Sequence, residues 1–239
     1  MSAINLFIFM PYSDWTYNSR NPIRRFSHRR RFSQLCKLLS RYIGSGMDML
    51  DFGCADGHLI YLLGESDSTG CTYCGYDPYP DKLTHPEVTI YDNFDEILSW
   101  GKKFHVITCL EVLEHFAPHM QRRLINQIKS VLVPGGILIV SVPVESGLSG
   151  LFKGVVRKLT DSQRRYQYTW RNLWRTLLAR PLSEFRQGDG YLDHIGFYFK
   201  DLRPLLEREF EIISISHSPF PILGAAFNSQ ITCILKVKD

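Results

Sequence analysis

No stretch of this chain reaches the roughly 20 consecutive apolar residues that a bilayer-crossing helix needs, so a membrane-spanning protein is not expected. The run Leu6-Phe7-Ile8-Phe9-Met10 is short, has no basic residue ahead of it and gives way to polar and aromatic residues. It does not read as a secretory leader. Cysteine is sparse, with residues at positions 36, 54, 71, 74, 109 and 233. Cys71 and Cys74 make the one close pair, and no second pair or histidine cluster completes a zinc site, so no metal is expected. The pair lies in Cys71-Thr72-Tyr73-Cys74-Gly75-Tyr76, which reads as a strand. Scattered thiols fit a reducing compartment, and the expected location is the cytoplasm.

Acidic residues are missing from two segments. Residues 20–41 carry eight Lys/Arg and no acid, and residues 150–186 carry nine basic residues against Asp161 and Glu184. The total charge is only +4, so the rest of the chain is at −11. An acidic body with two basic attachments is implied. The 239 residues, 44% of them apolar, suit one α/β domain with an insertion, or at most two small domains.

What the chain does have is alternation of strand and helix. Residues 1–19 read as a loop or covering arm, and from Phe32 the spacing of Leu35, Cys36, Leu39, Tyr42 and Ile43 predicts a basic amphipathic helix. Strands are expected at 47–52, 71–76, 88–91, 104–110 and 137–143, with helices at 57–64, 95–101 and 119–132 between them. Pro134-Gly135-Gly136 reads as a turn before the fifth strand. The continuous apolar run Ile137–Val142 suits a strand covered on both faces. Such alternation implies an α/β, Rossmann-like doubly wound sheet, with ligands beyond the carboxyl ends of its strands. Asp51, Asp77, Asp92, Glu111 and Pro143 all fall on that edge.

The stretch Met49-Leu50-Asp51-Phe52-Gly53-Cys54-Ala55-Asp56-Gly57-His58-Leu59 organises the rest. It reads as a buried strand, a small-residue turn and a helix start, which lets a ligand lie against backbone N–H groups. Leu50 to Gly57 resembles the first motif of the class I S-adenosylmethionine-dependent methyltransferases, with Ala55 where many members have a second glycine. About twenty residues on, Asp77 ends the second strand, placed to accept two hydrogen bonds from a ribose or to form a turn before Pro78. Asp77-Pro78-Tyr79-Pro80 is not the Asp-Pro-Pro-Tyr signature of amino-methylating nucleic-acid enzymes, which follows the fourth strand.

The resemblance implies that Asp92 accepts the adenine amino group, with Asn93 beside it and Phe94 as an apolar neighbour of the base. Capping of the helix at 95–101 by Asp92 is the alternative. Leu110-Glu111-Val112-Leu113-Glu114-His115 is similar to the family's motif after the fourth strand. It implies that Glu111 meets the methionine ammonium group and that the Leu110 backbone lines the same wall. The implied cofactor residues are therefore Asp51, Gly53, Cys54, Ala55, Gly57, Asp77, Pro78, Asp92, Asn93, Phe94, Leu110 and Glu111. The implied cofactor is S-adenosylmethionine, with S-adenosylhomocysteine as product. The implied fold is a seven-stranded sheet of order 3-2-1-4-5-7-6, its last strand antiparallel, with a helical insertion after strand 5.

The expected organisation is an arm and basic helix (1–44), a cofactor-binding core (45–145), a helical lid (146–189) and a closing helix with strands 6 and 7 (190–239). In the lid, Tyr166, Trp170, Leu173, Trp174, Leu177 and Leu178 share a helical face, with Arg164, Arg171 and Arg175 opposite. Those arginines are either solvated or turned to an anionic partner. His194 is the first candidate for a catalytic base toward a hydroxyl nucleophile, and His115 the second, unless His115 anchors its loop. The leading expectation is O-methylation of a sugar or a lipid-linked, phosphate-bearing saccharide, with peripheral contact to an anionic membrane surface. A quinone-like or other small metabolite is an alternative acceptor. RNA is another, though no RNA-binding module is recognisable and nucleic acid is not expected. A cofactor-binding protein without catalysis is a reading of another class. A dehydrogenase is disfavoured by the Gly-Cys-Ala-Asp-Gly spacing.

Overall fold

The computed structural model describes residues 11–66, 70–81, 87–161, 165–218 and 228–238. The run at 6–10 and Arg164 lie outside them. Strands β1 (Asp48–Phe52), β2 (Thr72–Tyr76), β3 (Ile90–Tyr91) and β4 (Phe104–Leu110) are parallel, with Met49 in register with both Tyr73 and Val106. Strands β5 (Leu132–Pro143), β6 (Phe210–Ser218) and β7 (Gln230–Val237) complete a seven-stranded sheet of order β3-β2-β1-β4-β5-β7-β6. β6 and β7 pair antiparallel, from Phe210 opposite Val237 to Ser218 opposite Gln230. Fold class and strand order are therefore as the sequence implied.

The helices are α1 (Tyr12–Trp15), α2 (Pro22–Leu39), α3 (His58–Ser66), α4 (Phe94–Ser99), α5 (Pro118–Val131), α6 (Gly147–Thr160), α7 (Trp170–Leu177) and α8 (Phe199–Glu209). Three boundaries depart from expectation. α2 starts at Pro22 rather than near Phe32. Proline suits a first helical position and arginine is a good helix former, whereas apolar periodicity marks only the half that packs, around Phe32 and Leu39. β5 starts at Leu132, so Pro134-Gly135-Gly136 lies within it. There Gly135 takes φ 71°, and a Cβ on Gly136 would stand 2.9 Å from the Val133 carbonyl oxygen, a close fold-back that glycine permits. Finally, α7 is eight residues long and leaves out Tyr166.

Packing divides the chain into two units. The first comprises the residues up to Leu110 together with Val131–Ile139. Its core gathers Phe32, Leu39, Met49, Leu59, Leu63, Val106 and Ile139, each worth roughly 1.5–3 kcal/mol when fully buried. The second comprises Glu111–Ser130 and Val140–Lys238. Within it Tyr168, Leu173, Leu182 and Ile195 form a cluster, with Leu151, Val155 and Phe185 packed on it.

Candidate active site

In the first unit the site is built from the turn between β1 and α3. Gly53, Ala55 and Gly57 take φ values of 82°, 50° and 73°. Ala55 thus holds a left-handed backbone that costs a non-glycine residue about 1–2 kcal/mol. Glycine at 57 is required twice over, by its φ and because a Cβ there would stand 2.8 Å from Val88 Cγ1. The turn is tied to the end of β2. The Gly53 and Cys54 amides donate to the Tyr76 carbonyl oxygen, and the Ala55 amide donates to Asp77 Oδ2 at 2.9 Å. Asp77 Oδ1 accepts from the Tyr79 amide at 2.9 Å, so this carboxylate both closes the turn before exposed Pro78 and keeps lone pairs for a ligand.

Three carboxylates crowd this turn. Asp51 is buried, accepts from the Thr108 hydroxyl at 2.6 Å, and is pushed up to about 7 by burial, with Asp77 and Asp56 adding repulsion. The Cys54 thiol is buried too; burial, then Asp51 and Asp77, hold it neutral. Asp56, which sequence reasoning passed over, accepts from the His58 amide at 3.3 Å at the start of α3. It also accepts from the Ser13 amide at 2.7 Å, and Asp81 accepts from the Tyr12 amide at 3.1 Å. The described part of the arm is thus fastened to the turn. Its one sequence signal was the buried-type residues among polar ones.

At the end of β3, Asp92 is exposed. It does not cap α4, since the Asn93 side chain does so by accepting from the Asp95 amide at 3.0 Å. Phe94 is buried, packed edge-on against Phe52 and Tyr76 at 5.8 and 5.2 Å between ring centroids. Leu110 ends β4, half-buried against the first core. In the first unit, then, Gly53, Cys54, Ala55, Gly57 and Asp77 share direct contacts, and Asp51 joins them electrostatically.

In the second unit, Glu111 takes φ 57°, a strained conformation for a residue with a side chain. Its amide donates to the Ser141 carbonyl oxygen, and its Oε1 accepts from Gln230 Nε2 at 2.8 Å and the Ser141 hydroxyl at 3.4 Å. His115 follows on a 3₁₀ turn, Leu113–His115. Its Nδ1 lies 2.9 Å from the Leu192 carbonyl oxygen and its Nε2 2.8 Å from the Tyr191 hydroxyl. A carbonyl only accepts, so Nδ1 carries the proton and Nε2 keeps the lone pair. Tyr191 stacks on the imidazole at 4.0 Å, and His194 meets it edge-on at 4.7 Å.

Burial lowers His115 from its ordinary value, and burial pushes His194 down to about 3 despite the attraction of Glu145. Both rings are neutral at pH 7. Arg186 locks the arrangement: its guanidinium donates to the carbonyl oxygens of Glu114, Phe116 and Asp193 at 2.6, 2.6 and 2.9 Å. Neither Arg186 nor Tyr191 was singled out from sequence, where one is a member of a basic run and the other an ordinary loop aromatic.

Beyond β5, Glu145 is buried between Arg157, at 2.6 and 3.1 Å, and Lys153, at 3.2 Å. Burial alone would raise its carboxyl, but the two cations hold it below the usual range. The aromatic face of the insertion turns outward. Of its residues only Leu173 is buried, whereas Trp170 and Trp174 are 65% and 62% exposed. On α6, Leu148, Phe152, Val156 and Leu159 form a second exposed stripe. Arg175 pairs with Glu184, and Lys158 lies 5.7 Å from the Trp170 ring. An open hollow of about 690 Å³ is lined by Arg171, Trp174, Arg175, Leu178, Arg180 and Glu184.

A family described as a methyltransferase domain matches residues 26–201. No curated protein matches the chain. Among solved structures the chain is similar to the N-methyltransferase NodS of Bradyrhizobium japonicum WM9 in complex with S-adenosyl-L-homocysteine. That likeness has a TM-score of 0.54 at 17% identity, over 92% of this chain and 90% of that one. It is similar to the PH0226 protein of Pyrococcus horikoshii OT3, with a TM-score of 0.62 at 16% identity over 95% and 96%. It is also similar to the magnesium protoporphyrin IX methyltransferase ChlM of Synechocystis PCC 6803 with bound S-adenosylhomocysteine. There the TM-score is 0.55 at 16% identity over 92% and 89%. At these identities the likeness is one of fold.

Proposed function

Because the chain belongs to the methyltransferase-domain family, we infer that it transfers the methyl group of S-adenosylmethionine to a hydroxyl of a saccharide, one carrying phosphate or a lipid. The observation that carries the donor is the Gly53–Gly57 turn tied to Asp77. Its crowded carboxylates fit a ligand that is itself a cation, because Asp77 and Asp56 repel the ionised form of Asp51. Backbone N–H groups of the turn and the start of α3 hold the cofactor, and Asp77 takes its ribose hydroxyls. Asp92 and Phe94 flank the adenine, and Leu110 and Glu111 the methionine end. When bound, the cofactor supplies an electrophilic methyl group on a sulfonium that leaves without acid assistance. What remains for the protein is positioning and exclusion of water. His194 and His115, neutral and side by side, are the groups that meet the acceptor hydroxyl.

The saccharide reading is supported by the insertion. Arg171 and Arg180 are exposed around the hollow beside Trp174, a combination suited to a phosphate with an apolar or ring-bearing neighbour. No described helix is long and apolar enough to cross a membrane. The stripes on α6 and α7, with Lys158 and Arg171 among them, instead suit peripheral contact with an anionic lipid surface on the cytoplasmic side.

Calorimetry with S-adenosylmethionine tests the donor, and Asp77→Ala should weaken binding by about 100-fold. Formation of S-adenosylhomocysteine should then require a phosphate-bearing or lipid-linked saccharide. Cofactor binding without turnover on any such acceptor would end the saccharide reading.

A further inference from the structure

Glu114, His115 and His194 each offer one ligand atom, all within 4.8 Å of one another, the single such group found among the described residues. Two of the three residues are buried, Glu114 completely. The Arg186 guanidinium faces this carboxylate electrostatically, and coordination to a cation is a second way to hold a carboxylate out of water. Glu114 Oε1 lies 3.9 Å from His115 Nε2. His115 is oriented as metal-binding histidines are. Its Nδ1–H is spent on a backbone carbonyl, which fixes the tautomer and turns the Nε2 lone pair toward the cluster. His194 Nδ1 is buried and has no hydrogen-bond partner among the described residues. The Arg186 clamp on the carbonyl oxygens of Glu114, Phe116 and Asp193 holds the two halves of the cluster together without using a ligand atom.

We propose that Glu114, His115 and His194 hold a divalent first-row cation, and that the coordination positions they leave open take hydroxyl oxygens of the methyl acceptor. Two imidazoles and one carboxylate favour Zn²⁺, Mn²⁺ or Fe²⁺ over Ca²⁺ or Mg²⁺, which prefer all-oxygen surroundings. Three protein ligands with open positions are the pattern of a working site rather than a structural one, which fills all four. The ligand atoms must draw together by about an ångström to reach bonding distance. The Tyr191 hydroxyl must also give up His115 Nε2. Tyr191 is largely exposed on a loop, so this displacement is cheap. Occupancy by the cation does not depend on the saccharide reading; the role of the open positions does, because that reading supplies the hydroxyls.

The test uses the full chain without a histidine tag, stripped with a chelator and titrated with Zn²⁺, Mn²⁺ and Co²⁺. The readouts are metal content by mass spectrometry and the visible absorbance of bound Co²⁺. One equivalent is expected for the unaltered protein. His194→Gln and Glu114→Gln should weaken binding by about 100-fold or more, since even residues that merely support a ligand account for 10–100-fold. Tyr191→Phe should bind as tightly or tighter, because it removes the hydroxyl competing for His115 Nε2. Calorimetry with S-adenosylmethionine on each variant reports whether the fold is intact and tests the donor separately. A chain that binds one Zn²⁺ but no S-adenosylmethionine keeps the metal site and loses the methyl-transfer reading. Less than a tenth of an equivalent in the stripped and reloaded protein overturns the metal site. So do His194→Gln and Glu114→Gln variants that retain a full equivalent, whatever S-adenosylmethionine does.

Discussion

The turn at 53–57 and the cluster around His115 handle buried charge in opposite ways. The turn gathers like charges: burial pushes Asp51 up to about 7, and Asp77 and Asp56 add repulsion to it. In the second unit Glu145, equally buried, is pulled the other way by Arg157 and Lys153. A carboxylate kept half-protonated by burial, with like charges beside it, is ready to respond to an arriving cation. One clasped by two cations has its partners already and serves as a brace. The lesson is that burial alone does not fix a carboxylate's behaviour; the sign of the surrounding charge decides whether burial is reinforced or overcome.

Four variants sharpen or break that contrast. The largest effect is expected from Glu145→Gln, which leaves Arg157 and Lys153 without their carboxylate. About 3 kcal/mol of stability should be lost, read as a fall in Tm of about 10 °C. A loss no larger than that of a surface substitution would remove the bracing role.

Next comes Asp51→Asn. Because the folded-state value lies above the ordinary one, the folded chain keeps a proton that the unfolded chain has shed. Stability contributed by that proton is present in acid and lost as pH rises from about 4 through about 7. Asparagine should therefore gain on the unaltered protein by about 2 kcal/mol between pH 5 and pH 8. Denaturant melts at the two pH values decide it. In the unaltered protein, S-adenosylmethionine binding near pH 7 should release protons, visible as a dependence of the calorimetric enthalpy on buffer ionisation; Asp51→Asn should not show it.

Gly57→Ala should cost about 1–2 kcal/mol for its left-handed backbone and more for the Val88 contact. Cofactor affinity should drop with it, whereas the same exchange at Gly64, which has open space around it, should leave affinity unchanged. The smallest effect on stability belongs to Trp170→Ser with Trp174→Ser, within about 0.5 kcal/mol because both rings are exposed. Sedimentation with phosphatidylglycerol vesicles should nonetheless be lost. If the double variant still sediments with them, the lipid-facing reading of α7 fails.

The same contrast explains what was legible in the sequence. The turn is contiguous: the stretch Met49–Leu59 carries its glycines, its strand and its helix start, and Asp77 lies one strand on. Period-2 and period-3.6 patterns therefore sufficed for the alternation of strands and helices, and the family resemblance for the strand order and the turn. The cluster in the second unit is assembled from Glu114-His115 and a histidine after a long insertion, so no spacing rule reveals it, and no metal was expected there. α2 was read short because its arginine-rich half has no apolar rhythm, and the direction of the lid helix was not legible because aromatic periodicity tells which residues share a face but not what that face meets. Asp56 was invisible for a simpler reason: its partners Ser13 and His58 come from the arm and the helix start, and only the folded backbone joins them.

That last pair of hydrogen bonds has a practical side. The family match begins at residue 26, and a chain trimmed to it would discard Ser13 along with β6 and β7. An expression tag is best kept away from Ser13 as well, since the segment around it acts as a buckle on the turn at 53–57 rather than as a dispensable tail.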